Sequence, residues 1–311
     1  MTPAEMKYEM ITLLGPTATG KTHLAVMLAA AVKGQIISAD SRQVYRGMNL
    51  GTGKDLAEYF LNGKFVRHHL IDIADPGYEY SVYEFSRDFN LACRQIKANA
   101  CLPILCGGTG LYLDAVLRGY HLSEAKPDTK LRQALETKTD AELIDILTGM
   151  RGLHNRTDTG DRRRLLRAVE IASLSQEQPL ADELKPLNSL VFGLRWERDA
   201  LRKRITARLQ QRLDNGMAEE VRNLISSGID PEKLMFYGLE YKYLTLYVTG
   251  KLGFDEMFSQ LNTGIHQFAK RQMTWFRRME RNGININWLE GENGEGQNFD
   301  RMLDMARKAG F

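Results

Sequence analysis

A lysine and a threonine close the stretch Gly15-Pro16-Thr17-Ala18-Thr19-Gly20-Lys21-Thr22, and the spacing G-x-x-x-x-G-K-[ST] suits a loop that wraps phosphate oxygens. Backbone N–H groups of such a loop turn inward around an anion, and the helix that follows adds the partial positive charge of its N-terminus. Lys21 supplies a point charge for a terminal phosphate, and the Thr22 hydroxyl a ligand for Mg²⁺. Asp40 ends a second short apolar run, at the strand end where open α/β sheets bind ligands. It reads either as an acid or base facing a reacting group, or as an N-cap or a support behind Mg²⁺. Gly107-Gly108-Thr109-Gly110 repeats the order strand, glycine turn, helix, and places Thr109 to offer a hydroxyl and an N–H to an anion.

These residues need a sheet to hold them. Strands are predicted at Ile11–Leu14, Gln35–Ala39, His68–Ile73, Leu102–Cys106, Leu190–Leu194 and Ile284–Trp288, the last followed by a Gly/Glu/Asn-rich surface loop. Helices are predicted from His23 to Val32, from the Ser81 cap to about Ala98, over Asp199–Ser226, and from about Asp255 to Arg281. The alternation implies an α/β fold with a mostly parallel sheet flanked by helices. Residues 119–187 show no strand pattern, only helix-like stretches at 129–138, 141–147 and 161–174. The predicted organisation is therefore a catalytic core of residues 1–118 and 188–311, interrupted by an all-helical insertion at 119–187.

A chain of 311 residues, 43% hydrophobic and 26% charged, has the composition of a globular protein with a sizeable core. No apolar run is long enough to span a bilayer and no secretory leader is evident, so a cytoplasmic setting with no membrane partner is expected. Cys93, Cys101 and Cys106 lack metal-type spacing, and His68 and His69 would point to opposite faces of a strand. The net charge of +3 does not by itself indicate nucleic acid. Its distribution does: Arg151, His154, Arg156, Arg162, Arg163, Arg164 and Arg167 crowd one segment. A solvated helix face is the usual meaning of a charge run, but three consecutive arginines and a fourth at helical spacing favour a phosphate-backbone footprint. Lys270, Arg271, Arg277 and Arg278 alternate with Phe268, Trp275 and Phe276, which suits RNA contact. Of Arg202, Arg204, Arg208 and Arg212, one could reach the phosphate loop.

The motifs GPTATGKT, ADSRQVYRGMNLGTGK, HHLIDIADP with YSVYEF, PILCGGTGLY, RRLLRAVEI and AKRQMTWFRRM occur in this order. Together they make the chain similar to the tRNA dimethylallyltransferases, over nearly its whole length to about Trp288. The resemblance implies a P-loop NTPase-like core whose loop, Gly15 to Thr22, holds the diphosphate of dimethylallyl diphosphate, with Mg²⁺ on Thr22. It implies Asp40 as general base toward N6 of the adenosine 3′ to the anticodon, Thr109 as a hydroxyl near the reacting centre, and Arg208 as a diphosphate ligand. It also implies tRNA contacts from Asp40, Ser41, Arg42, Gln43 and Thr109, and from Arg132, Arg163, Arg164, Leu165, Leu166 and Arg167 in the insertion. Phe236, Tyr237, Gly238, Tyr241, Lys270 and Arg271 complete the tRNA set. The implied partner is the anticodon stem-loop, and the expected state is a monomer. The chain departs from the family pattern at Gly51-Thr-Gly-Lys-Asp55, where GTAKP is common, and at Gly238-Leu-Glu-Tyr-Lys242, where GYKE is. It also lacks the zinc finger of eukaryotic members, which points to a bacterial-type enzyme. Competing readings are an adenylate isopentenyltransferase, a small-molecule kinase using the same loop on ATP, and a nucleotide-switched RNA-binding protein.

Overall fold

The computed structural model describes residues 8–120, 129–150, 161–175 and 186–311. The chain divides into two units, Met1–Gly119 with Lys185–Phe311, and Tyr120–Leu184.

In the larger unit, β1 (Met10–Leu14) leads through the phosphate loop into α1 (Lys21–Ala31) and then β2 (Gly34–Ala39). A short antiparallel pair, β3 (Phe60–Leu61) and β4 (Lys64–Phe65), precedes β5 (His68–His69), α2 (Val82–Ala98), β6 (Leu102–Gly107) and α3 (Gly110–Arg118). After the insertion come β7 (Ser189–Arg195), α7 (Arg198–Asp214), α8 (Met217–Ser226), α9 (Pro231–Leu234), α10 (Leu239–Val248), α11 (Phe254–Arg281), β8 (Ile286–Glu290) and α12 (Glu295–Lys308). The smaller unit holds α4 (Thr129–Glu136), α5 (Asp140–Met150) and α6 (Arg162–Ser175).

The six-stranded sheet runs β5-β2-β6-β1-β7-β8 with every pair parallel. Both faces are covered, which is why β1 is apolar along almost its whole length and fully buried. Met10 and Leu14 pack with Phe85, Phe89, Tyr112 and Phe276 from α2, α3 and α11. Ile11 and Leu13 pack on the other side with Leu24 and Leu28 of α1 and Met302 and Ala306 of α12. A third cluster joins α7, α8, α10 and α11 through Leu209, Val221, Tyr241 and Leu261. The predicted Ser81 cap forms, and the structure adds the reciprocal bond of a capping box: the Ser81 hydroxyl accepts from Glu84 N and the Glu84 carboxylate accepts from Ser81 N.

Three predicted elements differ. The third strand covers only His68–His69, because Leu70 and Asp72 adopt left-handed backbone (φ 62° and 56°) and the chain peels away from β2. The single helix predicted over Asp199–Ser226 is two, α7 and α8, since Gly216 at φ 92° breaks the backbone while the apolar spacing runs on. The tract read as a surface loop after the last strand instead contains the start of α12, whose buried Met302 and Ala306 dock on α1.

The smaller unit has its own core of Leu135, Leu143, Leu147, Leu165, Val169 and neighbours. Glu170, fully buried, accepts from Arg132 Nε and Nη2 (2.7 and 3.0 Å) and from Arg167 Nη1 (3.0 Å). Arg162 donates to Asp140 and to the carbonyls of Glu136 and Lys138.

Candidate active site

A cleft of about 1000 Å³ opens at the C-terminal edge of the sheet and is lined wholly by the larger unit. Its floor is the phosphate loop. Gly20 at φ 90° and Ala18 at φ 63° give the loop its alternating turns, and a side chain at Gly15 would strike the Leu194 carbonyl 2.6 Å away. The Thr19 hydroxyl donates to Pro16 O (2.9 Å), closing the loop on itself. Two consecutive carbonyls point outward: Ala18 O accepts from Arg204 Nε (2.9 Å) and Thr19 O from Trp196 Nε1 (3.0 Å). Lys21 reaches back toward Pro16 O (3.4 Å). Burial, aided by nearby Arg208, pushes its ammonium below the usual lysine range, against the opposing pull of Asp40. An anion arriving in the loop opposes that shift, because it favours the charged ammonium.

The second wall is Asp40–Gln43 with the turn after β6. Asp40 Oδ1 accepts from Arg42 N (2.9 Å), and the Thr109 hydroxyl accepts from Ser41 N (3.0 Å), so its own proton is available to the cleft. The Thr109 N–H, expected to serve an anion, instead donates to Ala39 O (3.1 Å), because β2 and β6 run side by side there. The glycines of this turn answer crowding. A Cβ would lie 2.2 Å from Ala39 O at Gly107, 2.5 Å from Gln272 Nε2 at Gly108 and 2.4 Å from the Trp275 ring at Gly110. Burial pushes the Cys106 thiol beside Lys21 up to about 12, so it stays protonated.

Helix α7 forms the third side. Arg208 and Arg212 share the Asp55 carboxylate at 2.5 and 3.0 Å. Burial raises that carboxyl, but the two guanidiniums outweigh it and hold it below the usual range. Neighbouring Glu58 and Glu240 are pushed up, each chiefly by burial. Over the cleft, residues 49–51 are tied to α8: Glu220 accepts from the N–H groups of Asn49, Leu50 and Gly51 (2.9, 2.8 and 3.1 Å) and from the Tyr241 hydroxyl (2.6 Å).

Thr17 to Thr22, Asp40 to Gln43, Thr109, Arg208, Phe236, Gly238 and Arg271 all line this cleft. Gly15 and Pro16 do not; they support the loop from behind. Tyr237 and Tyr241, expected to touch tRNA, are core residues, their hydroxyls engaged by Gly77 N and Glu220. Leu165 and Leu166 likewise belong to the core of the smaller unit, because they form the inward face of α6, and Arg132 and Arg167 are held on Glu170. Arg163, Arg164 and Lys270 are exposed. Arg151, His154 and Arg156 lie outside the described residues. Sequence reasoning missed Gln272, which is buried and accepts from Thr17 N (2.9 Å) while donating to Gly108 O (2.9 Å), so that one side chain sets the two loops against each other. It stands inside the AKRQMTWFRRM motif, but its partners are 255 and 164 positions away.

Thr22 and Asp40 offer hard oxygen donors on the cleft wall, and among the described residues no group of three or more His, Cys, Asp or Glu side chains could hold a metal. This donor set fits a hard divalent cation completed by phosphate oxygens, not a dedicated protein cage. Neither is any helix among the described residues long and apolar enough to cross a membrane.

A family model described as "IPP transferase" matches residues 43–279, and one described as "Isopentenyl transferase" matches residues 8–72. The chain is 55% identical over 284 residues to "tRNA dimethylallyltransferase 2" of Bacteroides fragilis, covering 91% of this chain and 93% of that protein. It is 52% identical over 284 residues to "tRNA dimethylallyltransferase 1" of Parabacteroides distasonis, covering 91% and 92%. The structure resembles that of the full-length tRNA isopentenylpyrophosphate transferase of Bacillus halodurans, with a TM-score of 0.71 and 32% identity over 97% of each chain.

Proposed function

This chain belongs to the IPP transferase family, and from that premise we propose that it moves a dimethylallyl group from dimethylallyl diphosphate to N6 of the adenosine 3′-adjacent to the anticodon in tRNA. The allylic carbon–oxygen bond breaks, a carbon–nitrogen bond forms at N6, N6 loses one proton, and diphosphate leaves. The observation that carries this reading is one cleft holding both a phosphate loop and, on the facing wall, Asp40 and Thr109.

The diphosphate lies in Gly15–Thr22, where inward N–H groups, Lys21 and Arg208 meet the charge that grows as the bond breaks. Mg²⁺ on Thr22 supplies further neutralisation of that charge when bound. N6 is a poor nucleophile because its lone pair is delocalised into the ring. Asp40, its carboxylate oriented by Arg42 N, accepts the N6 proton as the new bond forms. Thr109, whose oxygen is engaged by Ser41 N, directs its hydroxyl proton to the reacting centre. A stacked base cannot reach these groups, so the adenosine is flipped into the cleft past Phe236 and Arg271. The insertion at 119–187 grips the anticodon stem-loop with Arg163 and Arg164, and the enzyme acts as a monomer.

The deciding experiment is nucleoside mass spectrometry after incubating the protein, Mg²⁺ and dimethylallyl diphosphate with unmodified tRNA or with AMP. Isopentenyladenosine in tRNA alone is the expected result; product from AMP alone would reassign the chain to adenylate prenylation, and ATP consumption without product to kinase chemistry. Asp40→Asn is expected to lower kcat by about 10²–10⁴-fold while leaving tRNA affinity within a factor of about two. A matching loss of tRNA affinity would make Asp40 a structural residue.

A further inference from the structure

Of the three arginines that α7 brings to the cleft, Arg204 is built differently from the other two. Arg208 and Arg212 share Asp55, whereas Arg204 has no carboxylate within 4.0 Å among the described residues. Its anchors are the phosphate loop and an indole. Nε donates to Ala18 O (2.9 Å), and the guanidinium carbon sits 4.1 Å from the Trp196 ring centroid. Trp196 is itself held in place: Nε1 donates to Thr19 O (3.0 Å), and the ring packs so closely on Gly291 that a Cβ there would lie 2.0 Å away. With Nε engaged and one face covered, the remaining N–H donors stand at the rim of the loop. A Cβ added to Gly20 would come within 3.7 Å of Nη2.

We propose that Arg204 is a second diphosphate-binding arginine, held by Trp196 at the outer rim of the phosphate loop and contacting the phosphate farther from the prenyl chain. The proposal deepens the reading of the cleft given above and rests on it. A planar guanidinium with a fixed face presents parallel donors to two phosphate oxygens, which a flexible lysine cannot do. Because Asp55 already balances part of the charge of Arg208 and Arg212, Arg204 is the arginine of α7 in the cleft with no carboxylate within 4.0 Å among the described residues. Arg204 and Trp196 also engage the Ala18 and Thr19 carbonyls, so neither oxygen is left to face the anion.

The test is calorimetric titration of the intact protein with inorganic pyrophosphate and Mg²⁺, for the wild type, Arg204→Gln and Arg204→Lys. Arg204→Gln is expected to weaken binding by about 10–100-fold and to reduce its salt dependence by about one charge, with Arg204→Lys intermediate. tRNA affinity should stay within about twofold, and KM for dimethylallyl diphosphate should rise in step with the pyrophosphate constant. A folded Arg204→Gln that binds pyrophosphate as the wild type does would overturn the proposal, and a fall in melting temperature alone would make Arg204 a prop for the loop. Pyrophosphate binding needs no prenyl transfer. Wild-type binding that is lost in Arg204→Gln, with no prenylated tRNA formed, would therefore keep this inference and remove the functional reading; a wild type that binds no pyrophosphate would remove both.

Discussion

Helices α6 and α7 carry comparable runs of arginine and balance them differently. On α6, Arg162 meets Asp140 and two backbone carbonyls, and Arg167 shares the fully buried Glu170 with Arg132 of α4. Three guanidiniums meet two carboxylates there, and the pairing ties three short helices together. On α7, Arg208 and Arg212 share one carboxylate, Asp55, and Arg204 donates to the Ala18 carbonyl instead, so the cleft keeps an excess of positive charge beside Lys21. A basic run in a sequence counts cations; only the acids that folding delivers decide which remain available to a ligand.

The sharpest way to break this contrast is to remove the same group from each helix. Arg208→Gln should lower kcat/KM for dimethylallyl diphosphate by about 10²-fold or more, since on the function proposed above it deletes a donor to the developing diphosphate charge. Arg167→Gln should register as lower thermal stability of the insertion, by about 1 kcal/mol, because Glu170 keeps Arg132 and solvent reaches the arginine side of the pair. If steady-state kinetics showed the donor constants moving with Arg167 and not with Arg208, the two helices would have been assigned in reverse.

A smaller effect separates the arginines of α6 from one another. Arg163 and Arg164 are exposed, unlike Arg167. Charge reversal at both should weaken tRNA binding by about tenfold at moderate salt and flatten the log–log salt dependence by about 1.5 or more. Filter binding across a salt series reads both quantities. An unchanged slope would mean that the footprint lies elsewhere.

What could be read from the sequence follows the same division between local and distant partners. The phosphate loop, the buried parallel strands and the Ser81 cap were legible because spacing over a few residues specifies them. The break between α7 and α8 was hidden because apolar spacing continues across Asn215 and Gly216, although glycine at φ 92° ends the helix. Leu70 and Asp72 gave no warning of left-handed backbone inside an apolar strand pattern. The Arg208–Asp55 pair spans 153 positions and the Thr17–Gln272 bond 255, so no local pattern could report them. The departure from the family pattern at Asp55 was visible, but its meaning was not: Asp55 adopts φ 44° and turns its carboxylate onto two arginines of another helix.

That departure gives the smallest and most specific expected effect. Asp55 is held below the ordinary carboxylate range in the folded protein because Arg212 and Arg208 outweigh the cost of burying it. The unfolded chain then binds a proton at higher pH than the folded one, so the pairing contributes stability above the ordinary value of about 4 and loses it as pH falls through the lower folded value. Asp55→Asn removes the charge at every pH. The stability difference between wild type and variant, about 1 kcal/mol at neutral pH, should therefore hold from pH 7 to about 5 and shrink below about 4. Denaturant titrations along that pH series measure it directly. A difference that grew in acid would mean that the two arginines gain nothing from Asp55, and the balance drawn between α6 and α7 would have to be redrawn with all three cleft arginines unpaired.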